Sequence, residues 1–332
     1  MHDLAFPLLV ALIIVALAFD FLNGLHDAAN SIATVVSTQL LSPVAAVVFA
    51  AAGNFLAYWI VGLHVAETVG SGIIDKDVVT PAVVFGALIG AMFWNILTWL
   101  KGIPSSSSHA LIGGLLGAGI AHNGFAAVES SGTSKTLVAI VLSPMLGFAI
   151  AMLLMLLTSI LFQRVQPTRA NGIFKGLHVV SSAAYSISHG GNDAQKTMGI
   201  IAVLLYSTGH LNGKFHVPEW VVLSCYSAMA LGTLSGGWRI IRTMGTRLTR
   251  LNHHSGFCAS AASSMVVFGA SAMGIPVSTT HVITGGVVGT GAARRASAVR
   301  WSVASRVVIA WFVTIPASGV VAALFYLLVT LF

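Results

Sequence analysis

Charged side chains are scarce in this chain of 332 residues, since Asp, Glu, Lys and Arg make up only 8% of it. Soluble domains usually contain about 25%, so the composition excludes a sizeable soluble domain. Cysteine is almost absent too, and its two copies, Cys225 and Cys258, lie in apolar segments. They predict neither a disulfide framework nor a dedicated metal site. The basic residues lie in short loops without interleaved aromatics, which argues against nucleic acid as a partner.

Apolar residues dominate instead, at 56% of the chain with a mean hydropathy of +0.91. Runs such as residues 43–63 and 136–162 have the roughly 20 residues that a bilayer-spanning helix needs. The amino-terminal run has no basic flank and no clear cleavage site, so we expect a retained helix rather than a signal peptide. The sequence therefore predicts an all-α polytopic membrane protein that is surrounded by lipid.

One polar segment occurs twice. Residues 102–109 (GIPSSSSH) recur as residues 274–281 (GIPVSTTH), and nine of the eighteen positions of 102–119 and 274–291 are identical. We name these the hydroxyl boxes. An acidic box precedes each of them, at residues 23–31 and 188–197. A duplicated polar constellation in an apolar chain is typical of a transport site at the interface of two structural repeats.

The boxes also predict where the helices are interrupted. Each GIP sequence lies in an apolar run too long for one span, and predicts a re-entrant-type helical hairpin because proline turns the chain. Each acidic box predicts a broken helix, since non-helical backbone at membrane depth survives where it lines a polar cavity. The predicted domains are a first repeat at 1–163, a cytoplasmic linker at 164–175 and a second repeat at 176–332.

The basic residues predict the orientation. Of the sixteen lysines and arginines, eleven lie in the loops around 164–175, 239–250 and 294–306, and three in the loops 64–79, 122–135 and 208–218. Positive loops stay in the cytoplasm, so the first group is predicted inside and both chain termini outside. If each hairpin returns to the side of the membrane from which it enters, this orientation inserts the two hairpins from opposite sides. We therefore expect inverted repeats.

Charged groups inside apolar segments cost at least about 2.5–3.5 kcal/mol each on insertion scales and therefore indicate function. Three carboxylates qualify, Asp20, Asp27 and Asp193, and Lys196 follows Asp193 by about one helical turn. Asp27 and Asp193 hold matching repeat positions, which favours a functional pair over a structural ion pair such as Asp27 with Lys196. Asp20 aligns with Ser186 and is expected to act as a supporting group.

Each hydroxyl box precedes an apolar helix, which places its hydroxyls and free backbone N–H groups at a helix N-terminus. Such termini bind phosphate and sulfate, and two of them could converge on one tetrahedral oxyanion. The alternative is that the boxes only cap buried helices. Four histidines are candidate proton carriers or supporting groups, because histidine titrates near neutral pH. They are His26, His109, His189 and His281.

The acidic boxes and the two Pro-x-Ser-Ser/Thr-Ser/Thr-His boxes resemble the inorganic phosphate transporter family, often named PiT, over nearly the whole chain. The resemblance implies cation-coupled secondary transport of inorganic phosphate by two inverted repeats, as a homodimer; no cofactor is expected. It implies that cations or protons are held by Asn23, Asp27, Asn30, Asn192 and Asp193. It implies that phosphate is bound by Ser105, Ser106, Ser107, Ser108, Ser278, Thr279 and Thr280.

The chain departs from the sodium-coupled branch of that family, which has asparagine at the positions of His26 and Lys196. It resembles the compact bacterial, proton-coupled branch, which implies the cell inner membrane and a substrate that could be a neutral metal–phosphate complex. A charged ammonium offers no lone pair to a metal ion. We therefore expect Lys196 to replace a sodium ion and compensate Asp193, with protons driving transport.

Other functions stay open on the sequence alone. A sodium-coupled phosphate symporter and a sulfate permease belong to the same class, but carboxylates favour phosphate, which can give them a proton. A membrane phosphotransferase that uses a histidine is the alternative from another class, although no nucleophile–base arrangement is recognisable. A channel is disfavoured by charges that suit occlusion better than throughput.

Overall fold

The computed structural model describes residues 6–75, 78–211, 215–237, 240 and 243–331. These residues form eleven α-helices and no β-sheet. The helices are α1 (Phe6–Ser37), α2 (Pro43–Ile60), α3 (His64–Gly72), α4 (Pro81–Lys101), α5 (Ser107–Asn123), α6 (Ser130–Leu161), α7 (Pro167–Ser207), α8 (Glu219–Ser235), α9 (His253–Ala272), α10 (Thr279–Arg294) and α11 (Trp301–Thr330). Seven helical segments among the described residues are long and apolar enough to cross a membrane. The prediction of an all-α polytopic membrane protein is confirmed.

Helix starts follow the local sequence. Helices α2 and α4 begin at a proline behind a capping hydroxyl, Ser42 or Thr80, whose oxygen accepts a bond from a backbone N–H of the first turn. Helix α7 also begins at a proline, Pro167, so most of the segment expected as a linker is helical. Proline suits this position because its missing N–H would have no helical partner.

Two helical hairpins form where the sequence predicted them. Helix α4 is followed by Gly102 and helix α9 by Met273 and Gly274, and the two glycines adopt left-handed φ values of 63° and 67°. This conformation is unfavourable for residues with a Cβ atom. The chain then turns through residues 103–105 or 275–277 and starts α5 or α10. Helix α4 packs against α5, and α9 against α10.

The two hairpins point in opposite directions. The open end of the first hairpin lies beside the start of α6, where Ile74 pairs with Val128 across an isolated bridge. The tip of the second hairpin, at residues 274–276, lines a cavity together with the same first turn of α6, around Ser131 and Lys135. The open end of the first hairpin and the tip of the second hairpin therefore lie at the same end of the molecule. Opposed hairpins are what inverted repeats would produce, while the inversion of the whole repeats stays a prediction.

The acidic boxes do not break their helices, contrary to the sequence prediction. Helices α1 and α7 run without interruption through residues 23–31 and 188–197. Their glycines serve close packing instead of chain reversal. A Cβ atom on Gly24 would lie 2.2 Å from the Met229 carbonyl oxygen, and one on Gly190 would lie 2.5 Å from the Asn54 Cα atom. The box side chains find partners on other helices, so the backbone need not open.

Glycines also set the contacts of the hairpins with the long helices. Helix α5 packs against α11, and α10 packs against α6. A Cβ atom on Gly117 would lie 2.1 Å from the Gly319 carbonyl oxygen, and one on Gly289 would lie 2.3 Å from the Phe148 carbonyl oxygen. Small residues allow such helices to approach each other closely in a membrane.

Two of the basic loops lie together at one end of the bundle. The Arg300 backbone N–H donates to the Leu248 carbonyl oxygen over 2.9 Å, which joins the loop after α10 to the loop before α9. Some charges used to predict the orientation fall outside the described residues, namely Lys76, Asp77, Lys214, Arg239 and Arg242. The orientation in the membrane stays a prediction.

Candidate functional site

Each hydroxyl box forms the N-terminus of a buried helix, as predicted. Ser106 caps α5, and its side-chain oxygen accepts a bond from the His109 backbone N–H over 3.1 Å. Ser278 caps α10 in the same way, with the His281 N–H at 3.2 Å. The hydroxyls that follow each cap point to the acidic boxes. The duplication in sequence is therefore a duplication of local structure.

In the first half, Asp27 of α1 accepts hydrogen bonds from hydroxyl groups of both hairpins. Ser107 donates to Asp27 Oδ2 over 3.0 Å, and Thr280 donates to Asp27 Oδ1 over 3.3 Å. His26 Nδ1 lies 2.8 Å from the same Oδ1 atom. The His26 Nε2 atom lies 3.1 Å from the Thr98 hydroxyl of α4. Asp27 thus joins α1 to both hydroxyl boxes.

In the second half, Asp193 of α7 accepts one matching hydroxyl contact and pairs with Lys196. Thr279 donates to Asp193 Oδ2 over 2.8 Å, as Ser107 does to Asp27. Lys196 forms an ion pair with Asp193 Oδ1 and also donates to the Ser108 hydroxyl and, over 2.9 Å, to the Val277 carbonyl oxygen. The Lys196 ammonium therefore links both hydroxyl boxes.

Asn30 holds the position in the first acidic box that matches Lys196 in the second, and it makes a matching contact. Asn30 Nδ2 donates to the Thr280 hydroxyl over 2.9 Å, where Lys196 donates to Ser108. Asn30 and Lys196, which hold matching positions in the two acidic boxes, thus each reach the last hydroxyl of the other half's hydroxyl box. We name the group of these side chains the central cluster, and none of them is more than 4% exposed. Its members are Ser107, Ser108, Thr279, Thr280, Asp27, Asp193, Asn30 and Lys196.

Other predicted site residues lie around this cluster rather than in it. Ser105 bonds with Thr314 of α11 at 2.8 Å and accepts from Trp94 at 3.1 Å. Asn192 reaches the second hairpin, where its Nδ2 atom donates to Ser271 over 2.9 Å. Asn23 is buried, and its Oδ1 atom has no hydrogen-bond partner among the described residues.

Asp20 lies one turn before Asn23 and is fully buried beside Asn23, Thr197 and Cys225. Neither of its carboxylate oxygens has a hydrogen-bond partner within the described part of the chain. Burial of an unpaired polar group is costly. Asp20 is thus a buried ionisable group close to the central cluster, with polar side chains beside its carboxylate but no hydrogen bond of good geometry among the described residues.

The histidines divide into two kinds. His189 lies in the site: its Nδ1 atom is 3.0 Å from Asn54 Oδ1, and its Nε2 atom is 3.2 Å from Asp193 Oδ2. His109 and His281 pack on each other, with ring centroids 4.3 Å apart, and His281 stacks on Trp311. Both rings are buried, and a proton-carrying or supporting role for these two histidines stays a prediction.

Three side chains could hold a cation between the two halves. One ligand atom each of Asp27, His189 and Asp193 lies within 4.8 Å of the other two. Carboxylate oxygens suit hard cations, and imidazole suits softer ones. The same groups could equally carry protons. The arrangement is therefore able to couple a positive charge to an anion bound by the neighbouring hydroxyls.

Sequence reasoning missed the residues that support the acidic boxes. Asn54 of α2 bonds with His189 and donates to the Thr233 hydroxyl of α8 over 2.9 Å. Gln195 accepts from the backbone N–H of Val65 over 3.0 Å, at the start of α3. An amide inside an apolar run was the available signal for Asn54.

Comparison with known proteins agrees with this geometry. The profile of the phosphate transporter family matches residues 23–170 and 161–322, which include both acidic boxes and both hydroxyl boxes. The chain belongs to the phosphate transporter family. It is 60% identical over 323 residues to a protein of Rhizobium meliloti (strain 1021) named "probable low-affinity inorganic phosphate transporter", and 97% of each chain is covered.

Two further proteins extend the comparison. A Bacillus subtilis (strain 168) protein with the same name is 40% identical over 337 residues, with 99% of each chain covered. A solved structure, "The sodium-dependent phosphate transporter", superposes with a TM-score of 0.89 at 26% identity and covers 98% of this chain and 100% of its own. Members of the phosphate transporter family are transporters and not enzymes, so the phosphotransferase alternative is not supported.

Proposed function

We propose that this protein imports inorganic phosphate together with protons across the bacterial inner membrane. The observation that carries the proposal is the central cluster, in which hydroxyls at two helix N-termini meet two carboxylates and one ammonium. The N-termini and hydroxyls favour an oxyanion. The names of the relatives support phosphate as that oxyanion.

The charge of the cluster supports coupling to a cation. With Asp27 and Asp193 ionised, Lys196 protonated and the histidines neutral, the cluster has a net charge of −1. A phosphate anion would add further negative charge to a buried site, where unpaired charge is costly. Protons on the two carboxylates relieve this repulsion. Phosphate and protons therefore bind more readily together than apart, which is the requirement of a symporter.

Lys196 supports protons over sodium as the coupling ion. Its ammonium pairs with Asp193 Oδ1 and repels a metal ion that approaches this carboxylate. Sodium coupling is the second candidate, because the solved relative is sodium-dependent by its title. A cation between Asp27, His189 and Asp193 would suit that alternative.

Two cavities at the hairpin tips support alternating access by the two halves. One of about 400 Å³ adjoins the second tip at residues 274–276 and is lined by Glu67, Glu129 and Lys135. The other, of about 220 Å³, adjoins the first tip at residues 102–104 and is lined by Lys101, Arg247 and Arg306. The central cluster between them is buried. We infer that the first cavity faces outside, the second faces the cytoplasm, and each tip opens in turn.

Uptake of labelled phosphate into proteoliposomes tests the proposal. Proton, sodium and Mg²⁺ gradients are varied independently, with sulfate as competitor. We expect phosphate uptake that follows the proton gradient and resists excess sulfate. Uptake that requires sodium would favour the second candidate, and dependence on Mg²⁺ would indicate a metal–phosphate substrate. Equal inhibition by sulfate and phosphate would contradict phosphate selectivity.

A further inference from the structure

A basic cavity lies at the end of the molecule where α10 ends and α11 begins. Its volume is about 370 Å³, and its lining includes Arg250, Arg294, Arg295, Arg300, Thr249 and Ser297. Ligand pockets typically measure about 300–1,000 Å³. None of these residues belongs to the central cluster or to the two cavities at the hairpin tips.

Hydrogen bonds join the segments that line the cavity. The Arg300 N–H donates to the Leu248 carbonyl oxygen over 2.9 Å, and the Thr249 hydroxyl donates to the Ala298 carbonyl oxygen over 3.1 Å. Arg294 Nη1 donates to the Arg250 carbonyl oxygen over 3.2 Å. These bonds tie the segment before α9 to the turn before α11. The arginines are therefore held around one concavity rather than spread along a flexible loop.

The charge of the cavity is uncompensated within the described residues. The chain contains no aspartate or glutamate after Glu219. None of the ion pairs seen in the described part of the structure involves an arginine. The guanidinium groups of Arg250, Arg295 and Arg300 also show no side-chain hydrogen bond there. Like charges held close together repel each other, and a bound anion would relieve that repulsion.

We propose that this cavity binds an anion carrying two or more phosphate groups. A guanidinium group presents a planar fork of donors that matches two phosphate oxygens at once. Four arginines provide more positive charge than one orthophosphate needs. The ligand is a soluble oligophosphate or the headgroup of a lipid with two phosphates. Both could reach the cavity, because the neighbouring Trp301 is 52% exposed and exposed tryptophans mark the membrane interface.

This site is independent of the proposed transport site. Helix α10 separates them, with Thr279 of the hydroxyl box in its first turn and Arg294 in its last turn. These two residues are 15 positions apart, which at 1.5 Å per residue is about 22 Å along the helix. Loss of cavity binding would thus leave phosphate uptake in place, and loss of uptake would leave cavity binding in place.

The test for a soluble ligand is titration of tripolyphosphate into the full-length protein in nanodiscs of neutral lipid. We expect binding that excess orthophosphate does not displace. The variant Arg250→Gln/Arg300→Gln should raise the dissociation constant about tenfold or more. The control Arg164→Gln/Arg169→Gln removes the same charge from exposed positions outside the cavity, and should change it less than about twofold.

The test for a lipid ligand is native mass spectrometry of the purified protein with added cardiolipin. If the headgroup is the ligand, the cavity variant should retain at most about one tenth of the lipid that the control retains. A cavity-dependent loss with either probe supports the site and identifies the source. Equal binding by the two double variants with both probes, or no binding to the wild type, overturns it. Should the cavity variant fail to fold, Arg295→Gln alone replaces it under the same criteria.

Discussion

Lys196 distinguishes the two halves at the scale of single residues. The matching residue, Asn30, is neutral, yet both donate to a hydroxyl of the opposite box. Only Lys196 adds a positive charge, and it sits against Asp193. The two halves therefore share the hydroxyl contacts of Ser107 and Thr279 with the carboxylates, but only the second half carries an ammonium. This difference is what our proposal that Lys196 substitutes for one coupling cation requires.

The variant Lys196→Asn should convert part of the coupling from protons to sodium. The change removes the ammonium and restores a neutral oxygen ligand beside Asp193. In proteoliposomes we expect weaker proton dependence and new stimulation by sodium. The control is Lys175→Asn, which removes one exposed charge from the same helix. Unchanged proton dependence without any sodium effect would mean that Lys196 only holds the helix.

The variant Thr279→Val should weaken phosphate binding. It removes a donor from the central cluster while keeping the shape of the side chain. A lost hydrogen bond to a charged group costs about 1.5–3 kcal/mol, so we expect KM for phosphate to rise about tenfold or more. Thr290→Val is the control, because Thr290 is buried on the same helix but bonds only to the Val287 carbonyl oxygen. Equal KM values for the two variants would remove Thr279 from the binding site.

At the scale of helices, the sequence predicted turns better than it predicted continuity. Each GIP sequence combines a left-handed glycine with a proline, and such local chemistry determines a hairpin without reference to the rest of the chain. The acidic boxes depend on partners from other helices. Because Asp27 and Asp193 are satisfied by hydroxyls far away in sequence, α1 and α7 stay continuous, and no local signal could have shown it.

The variant Gly117→Ala should destabilise the contact of α5 with α11. The new Cβ atom would lie 2.1 Å from a backbone oxygen of Gly319, so the helices must separate. We expect a loss of about 1–3 kcal/mol, as for overpacked cores, and a lower melting temperature in detergent. The control is Gly269→Ala, where the added Cβ meets no atom within 4 Å. It should keep or raise the melting temperature, since alanine favours helix. Equal melting temperatures of the two variants would contradict the close contact of α5 with α11.

At the scale of the molecule, the opposed hairpins explain why one polar motif occurs twice. The tips of the two copies lie beside different cavities, and their hydroxyls meet in the central cluster. The repeat, the boxes and the four central hydroxyls were predictable from the sequence. The place of Ser105 beside Trp94 and Thr314 was not, because it depends on how α11 packs.

Labelling of single cysteines tests the orientation of the whole molecule. Thr168 and Ser131 are both exposed and lie at the starts of α7 and α6. Thr168→Cys should react with an impermeant thiol reagent only from the cytoplasmic face, and Ser131→Cys only from the outside. The native cysteines Cys225 and Cys258 are buried and serve as the unreactive background. Reaction of both new cysteines from one side would refute the inverted arrangement.

The most direct test of phosphate–proton symport is simultaneous measurement of both fluxes. Proteoliposomes that contain a pH-sensitive dye receive external phosphate at equal internal and external pH, without sodium. We predict that phosphate entry acidifies the interior beyond the buffering of phosphate itself, and that an opposing proton gradient stops uptake. Phosphate entry with no accompanying proton movement, or uptake indifferent to the proton gradient, would contradict proton coupling through the central cluster.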